Sequence, residues 1–442
     1  MGRPFLFLAI LLLAACGGLP RRDSVDAEAL AWDACVPVAV TGKVRAVAYD
    51  AGLPQQGQWR DGFALADMNG DGRLDLVHGP ARKGGFRPAI FLGDGQGRFS
   101  PWSEAHFPPL PFDYGDVAVA DLNADSRPDI AVASHLRGLA ALIQEAPGHF
   151  APWGEGLELV DLGRAPEAMP FASRAIALAD WDGDARVDLL AVNEGPSRWK
   201  PNQRVDAMLA VYLDRGGFWE RVPIDARWHG FGDAIATGDV DGDGRLDVVQ
   251  GTQAVGLRNL LWRAKDVPAT PLPLRTLPLR AAVTAVELLD VDADGRDEVA
   301  LAPRTTRDNG FCTGLQLVRS AGGEAEAAQV LWRAPGVDGL VRLASADLNQ
   351  DGQIDLVGLA RRGELRVFLG SPHGLTPAGT IPRTAAMAAC DAFDLEIADL
   401  DGQPGLEMIV SFAGDNADFS GQIDCPNRGG FQAWHLHADD GR

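Results

Sequence analysis

Asp67-Met68-Asn69-Gly70-Asp71-Gly72-Arg73-Leu74-Asp75 lies between two short, largely apolar runs, residues 63–66 and 74–78. Oxygen-bearing side chains stand at positions 1, 3, 5 and 9 of this turn, with glycines between them that let the backbone fold tightly. Such a turn aims several oxygen ligands at one point, which is what a hard divalent cation such as calcium requires. The pattern returns at Asp121, Asn123, Asp125 and Asp129, at Asp180, Asp182, Asp184 and Asp188, and at Asp239, Asp241, Asp243 and Asp247. It returns again at Asp290, Asp292, Asp294 and Glu298, at Asp347, Asn349, Asp351 and Asp355, and at Asp399, Asp401 and Glu407. Seven copies make this a repeat protein.

Successive first aspartates are 51 to 59 residues apart, a period slightly longer than that of the common propeller repeats. Mostly apolar runs precede the turns, as at 117–120, 175–179, 283–289 and 395–398, and others follow, as at 130–133, 187–192 and 354–359. Short apolar runs flanking a tight turn make a hairpin. Glycine-bearing turns within 88–99, 208–219 and 365–375 close a second hairpin, so one unit is about four short strands.

A calcium-binding helix–loop–helix motif also begins with oxygen ligands at 1, 3 and 5 and glycine at 6, but it needs a glutamate at 12 and flanking helices. Position 12 here is His78 or Gln250, the last carboxylate falls at position 9, and strands flank the turn. These residues resemble the FG-GAP or VCBS repeat family, calcium-loaded β-propellers similar to the head of integrin α chains, over residues 59 to 437. The resemblance implies an all-β, seven-bladed β-propeller of four-stranded blades with calcium-binding hairpin turns. Turns starting at Asp67, Asp239 and Asp347 keep all four ligands and a glycine at 6 (Gly72, Gly244, Gly352) and are expected to bind tightest. Ser126 and Ala185 replace that glycine in the turns at Asp121 and Asp180, and Glu298 is a longer ligand in the turn at Asp290. The Asp399 turn, with Gln403 and Pro404 at positions 5 and 6, is the weakest candidate. Calcium here is expected to be structural, as several ions.

Residues 1–15 carry one basic residue, Arg3, and an apolar run from Phe5 to Leu13. That run is too short to span a bilayer core of about 30 Å, so it reads as a signal peptide. Leu13-Ala14-Ala15-Cys16 resembles a bacterial lipobox, which implies cleavage before Cys16, lipid on that cysteine and an envelope location, the outer membrane being favoured by Gly17. Residues 16–35 read as the lipid-anchored tether and 36–442 as the propeller. Within it, 36–50 has strand character and nothing else to pair with, while the last repeat supplies only three strands. An N-terminal strand is therefore expected to complete and close blade seven, which removes exposed edges.

A net charge of −21 argues against nucleic acid, whose phosphates need a basic surface. Much of the acidity sits in the turns. Cys35, Cys312, Cys390 and Cys425 suggest two disulfides in an exported chain; three connectivities exist, and a bridge from Cys35 to Cys390 or Cys425 is favoured because a propeller must join its ends. No zinc-protease or nucleophile-elbow motif is present. His435 and His437 share a strand face but lack an evident third ligand and read as surface residues. Inter-blade loops opposite the acidic turns form the expected binding face, with Trp199, Pro201 and Arg204 in the loop 193–206, a second long loop at 303–313, and Trp59, Trp228 and His229 as further candidates. Trp102, Trp153, Trp219, Trp262 and Trp332 read as blade packing. The sequence points to a non-catalytic envelope lipoprotein that binds a glycan or an envelope or extracellular protein. A calcium-dependent polysaccharide lyase or hydrolase and an assembly factor for another envelope protein are the competing readings.

Overall fold

The computed structural model describes residues 32, 34–42, 44–82, 87–161, 171–194, 207–224, 232, 234–252, 260–263, 272–273, 277, 281–307, 310–321, 324–414, 425 and 429–437. Residues 1–31, with Cys16, and Trp199, Pro201, Arg204, Trp228 and His229 lie outside them.

After β1 (Arg45–Tyr49) the strands come in fours. Blade one is β2 (Phe63–Ala66), β3 (Asp75–His78), β4 (Ala89–Gly93) and β5 (Phe99–Pro101); blade two is β6 (Val117–Ala120), β7 (Asp129–Ser134), β8 (Gly138–Ala146) and β9 (His149–Pro152). Blade three is β10 (Ser173–Ala179), β11 (Asp188–Asn193), β12 (Leu209–Asp214) and β13 (Trp219–Arg221); blade four is β14 (Ala234–Gly238), β15 (Asp247–Gly251), β16 (Leu260–Trp262) and β17 (Leu272–Pro273). Blade five is β18 (Ala281–Leu289), β19 (Glu298–Arg307), β20 (Gly310–Ala321) and β21 (Glu324–Pro335); blade six is β22 (Leu340–Ala346), β23 (Asp355–Ala360), β24 (Leu365–Leu369) and β25 (Thr376–Ile381). Blade seven takes β26 (Asp391–Ala398), β27 (Glu407–Ala413) and β28 (Gly429–His437), and β1 pairs antiparallel with β28 as its outermost strand.

Each sheet pairs its strands antiparallel in chain order, and the first strand of each blade packs beside that of the next, β26 returning to β2. Those first strands surround a central channel. Second strands are covered on both faces, which is why β7, β11, β23 and β27 are buried along their whole length and read as continuous apolar runs behind one leading carboxylate. Trp219 and Trp262 are fully buried and Trp332 nearly so between blades, while Trp102 and Trp153 pack partly buried at the same level.

Three expectations change. The disulfides are Cys35–Cys312 and Cys390–Cys425 rather than a bridge from Cys35 to the last blade. The two chain ends already meet through the β1–β28 ladder, whereas Val38 bridges to Arg333 of β21 and so holds Cys35 beside blade five. Trp32, read as tether, is buried with Cys35 and Cys312. Residues 303–313 are not a long loop: β19 and β20 extend until Arg307 pairs with Gly310, as the β-branched pair Thr305–Thr306 and Phe311 favour.

Candidate functional site

The acidic turns join the first strand to the second in every blade, so all seven lie at one end of the channel. One hydrogen-bond pattern builds them. In the first turn Asp67 accepts the N–H groups of Gly70 (2.8 Å), Asp71 (3.0 Å) and Gly72 (2.8 Å), and Asp71 accepts that of Arg73 (3.0 Å). The bonds from positions 5 and 6 to the first aspartate repeat at Asp121, Asp180, Asp239, Asp290 and Asp347. This winding needs positive φ at position 6, which Ser126 (+68°) and Ala185 (+67°) adopt like the glycines they replace. A side chain in that region is strained by roughly 1–2 kcal/mol.

Position 9 opens the second strand of each blade and is buried: Asp75, Asp129, Asp188, Asp247, Glu298, Asp355 and Glu407. One carboxylate oxygen accepts the N–H of position 2, at 2.7 to 3.2 Å, in all seven turns. In blades one, two, three and six the other oxygen accepts an N–H at the end of the third strand, from Gly93, Gln144, Asp214 or Gly370. Position 9 therefore staples the hairpin as well as facing the turn. Burial, opposed by these hydrogen bonds and assisted by the other carboxylates, pushes Asp75 and Asp188 up to about 6 and Asp247 up to about 7, and raises Asp129, Glu298 and Asp355. A bound cation acts in the opposite direction.

Position 3 divides the turns. Where it is Asn69, Asn123 or Asn349, the third-strand residue after the pairs Leu76–Phe91, Ile130–Leu142 and Leu356–Phe368 is aliphatic: Leu92, Ile143, Leu369. Where position 3 is aspartate, a basic side chain arrives, at that same residue in blades four and five and two residues later in blade three, where the residue itself is Leu213. Arg215 lies 2.7 Å from Asp182, Arg263 lies 3.0 Å from Asp241 and Arg319 lies 2.6 Å from Asp292. Acidic donor atoms converge within 4.8 Å in the sets Asp180–Asp182–Asp188, Asp239–Asp241–Asp247 and Asp290–Asp292–Asp294. In Asp182 and Asp292 the arginine takes Oδ2, while Oδ1 is buried and accepts no hydrogen bond. An all-oxygen donor set with such an orphaned oxygen fits calcium.

The seventh turn departs from expectation. His435 is not a bare surface residue: it pairs with Glu407 across the β27–β28 ladder, and its Nδ1 lies 2.9 Å from Glu407 and 3.9 Å from Asp401. Its ring stacks on Tyr49 with centroids 4.0 Å apart. Asp401, Glu407 and His435 form a fourth convergent set. Sequence reading missed it because His435 follows Glu407 by 28 residues.

At the opposite end, where first strands begin, the channel opens into a cavity of about 310 Å³. Four first strands are bulged here. Arg174, Thr284, Val341 and Phe393 each fall in a register shift of the ladder and each lines the cavity. Bulges re-aim side chains beside functional sites. Inside, Arg342 lies 2.7 Å from Asp394, which also accepts the N–H of Phe63 from the neighbouring blade at 2.8 Å. Asp116 accepts the N–H groups of Val117 (3.0 Å) and Ile176 (3.1 Å), and burial pushes it up to about 7. Burial also raises Glu396 deeper in the channel. Trp59, a candidate for ligand contact, is half-buried and packs against His78, Phe91 and Phe431.

A family model described as FG-GAP-like repeat matches residues 81–132 and 121–191, a stretch that runs from blade one into blade three. No curated protein matches. Among solved structures, crystals of BBS1N in complex with ARL6DN are similar in fold: one soaked with lead at TM-score 0.53 and 11% identity, one soaked with mercury at 0.54 and 12%. Each alignment covers 90% of this chain and 99% of the other.

Proposed function

We propose that the protein is a non-catalytic, calcium-binding propeller of the bacterial cell envelope, exported through residues 1–15, anchored by lipid on Cys16, and binding a glycan at the channel mouth. Calcium would be held by the acidic turns, with Asp180, Asp182, Asp184 and Asp188 a representative ligand set, and would neutralise carboxylates that otherwise repel one another. Two disulfides suit an oxidising compartment. The observation that carries the binding reading is the division of the propeller into a carboxylate-lined end and, opposite, a polar cavity built by strand bulges. Mouth carboxylates are engaged: Asp391 by Arg361 and Arg362, Asp394 by Arg342, Asp116 by two backbone N–H groups. Held this way they position neighbours and are poorly placed to abstract a proton from substrate.

The test is incubation with a polysaccharide panel in calcium buffer, following both retention on the polymer and new reducing ends or unsaturated products. Retention without cleavage is expected. Cleavage that disappears on calcium removal while the fold persists would replace this reading with a lyase or hydrolase. Absence of both signals would replace it with a protein partner, sought by crosslinking on intact cells.

A further inference from the structure

Arginines outnumber carboxylates at the channel mouth. Arg60, Arg174, Arg304, Arg342 and Arg361 line the cavity against Asp61, Asp116, Asp391 and Asp394, in a protein whose net charge is −21. The excess is concentrated on one side. Asp391 lies 2.8 Å from both Arg361 and Arg362, and Arg362 also lies 3.8 Å from Asp338. Arg304, from the extended β19–β20 hairpin, stands beside Arg361 and has no carboxylate or hydrogen-bond acceptor among the described residues. Its contact is the exposed ring of Phe311, with the guanidinium carbon 5.7 Å from the centroid. Burial and then the like charge of Arg361 lower its pKa, although a guanidinium stays charged.

We infer that the mouth is a carboxylate-binding site centred on Arg304, and that the group it takes is the carboxylate of an acidic sugar ring. The inference rests on the glycan reading and names the class of glycan. A partly buried guanidinium without an anion is costly, and its planar fork matches a carboxylate in two parallel hydrogen bonds. A volume of about 310 Å³ lies at the small end of the range for small-molecule sites, so it admits a sugar unit rather than a long peptide segment. The rest of the lining holds both Arg donors and Asp acceptors, which suits ring hydroxyls, while Phe393 and the exposed Val337 offer apolar surface at the rim. The aspartates disfavour a second anion elsewhere in the cavity, which orients the ring.

Titration calorimetry of the full-length protein with trigalacturonate, with the neutral galactose trimer and with an Asp-rich hexapeptide tests the inference. Trigalacturonate is expected to bind at least tenfold tighter than the neutral trimer. Arg304→Ala should lose at least tenfold, Arg304→Lys should recover part of that loss, and the melting temperature should change little because Arg304 has only its contact with the exposed Phe311 ring to lose among the described residues. Equal binding of the two sugars, or no effect of Arg304→Ala, overturns the carboxylate site and leaves glycan binding standing. Preference for the peptide, or no binding of any probe, overturns the inference, and the peptide result also overturns the glycan reading.

Discussion

Blades one, two and six differ from blades three, four and five at one atom pair per turn. The first group has asparagine at position 3 and three carboxylates, at positions 1, 5 and 9; the second has aspartate and four carboxylates, with Arg215, Arg263 or Arg319 brought to position 3. Counting positions 1, 3, 5 and 9 with the cation at position 3, four minus one equals three, so the added carboxylate is offset within its own turn. In blades one, two, three and five the arginine at position 7 also pairs with position 5, in both groups, so the distinction lies at position 3. An additional carboxylate is tolerated where the chain supplies its own cation. Blade seven stands apart, with aspartate at position 3 but Gln403 at position 5, and with His435 Nδ1 3.9 Å from Asp401.

The largest consequence falls on Asp241. Its ion pair with Arg263 is buried, the two side chains being 8% and 9% exposed. Asp241→Ala strands that guanidinium and is expected to cost about 3–5 kcal/mol. Asn69→Ala, which removes exposed hydrogen bonds, should cost less than about 1 kcal/mol. Urea unfolding in chelator measures both, and equal losses would erase the distinction.

Position 9 should behave alike in both groups. Asp355→Ala frees the N–H groups of Leu348 and Gly370, and Asp188→Ala frees those of Trp181 and Asp214. Each is expected to lose about 2–4 kcal/mol even without calcium. A loss seen only with calcium present would make position 9 purely a ligand.

Removing the internal cation sharpens the comparison. Arg319→Met leaves Asp292 and Glu298 of blade five without their shared cation, so calcium affinity there should rise about tenfold, or roughly 1.4 kcal/mol, while stability in chelator falls. Asn349→Asp adds a carboxylate without an arginine and should act in the same direction. Unchanged affinity in calcium titration would show that charge balance does not set it.

A further effect is on pH. Folding raises Asp75 and Asp188 to about 6 and Asp247 to about 7, so between about pH 4 and those values the native state holds protons that the unfolded chain has released. Their contribution is present below about pH 4 and is lost as pH rises through 6 to 7. In chelator the melting temperature should therefore decline across that window from these groups, and calcium should flatten the decline. Parallel pH profiles with and without calcium would contradict this.

How much could be read from the chain follows from distance along it. The turns were legible because nine consecutive residues contain every candidate ligand but His435, and the period of 51 to 59 residues marked each blade. Arg263 and Arg319 were not, since each reaches its turn from the third strand, more than twenty residues later. The mouth was less legible still: residues 116, 174, 304, 342 and 394 come from five blades. Its available signal was a charge inside otherwise apolar first strands, as Arg342 in β22 and Asp394 in β26. Cys35 was misassigned because strand pairing, which joins the ends, left the cysteine free to reach blade five.

Calcium stoichiometry tests the central claim most directly. After dialysis against millimolar calcium, elemental analysis of the full-length protein should give several ions per chain, and Asp180→Ala combined with Asp182→Ala should lower the count by one. Melting should rise with calcium by about 1.4 kcal/mol for each site held at ten times its dissociation constant. A calcium content indistinguishable from buffer, with melting unaffected by chelator, would contradict the account and leave the acidic turns as metal-free hairpins.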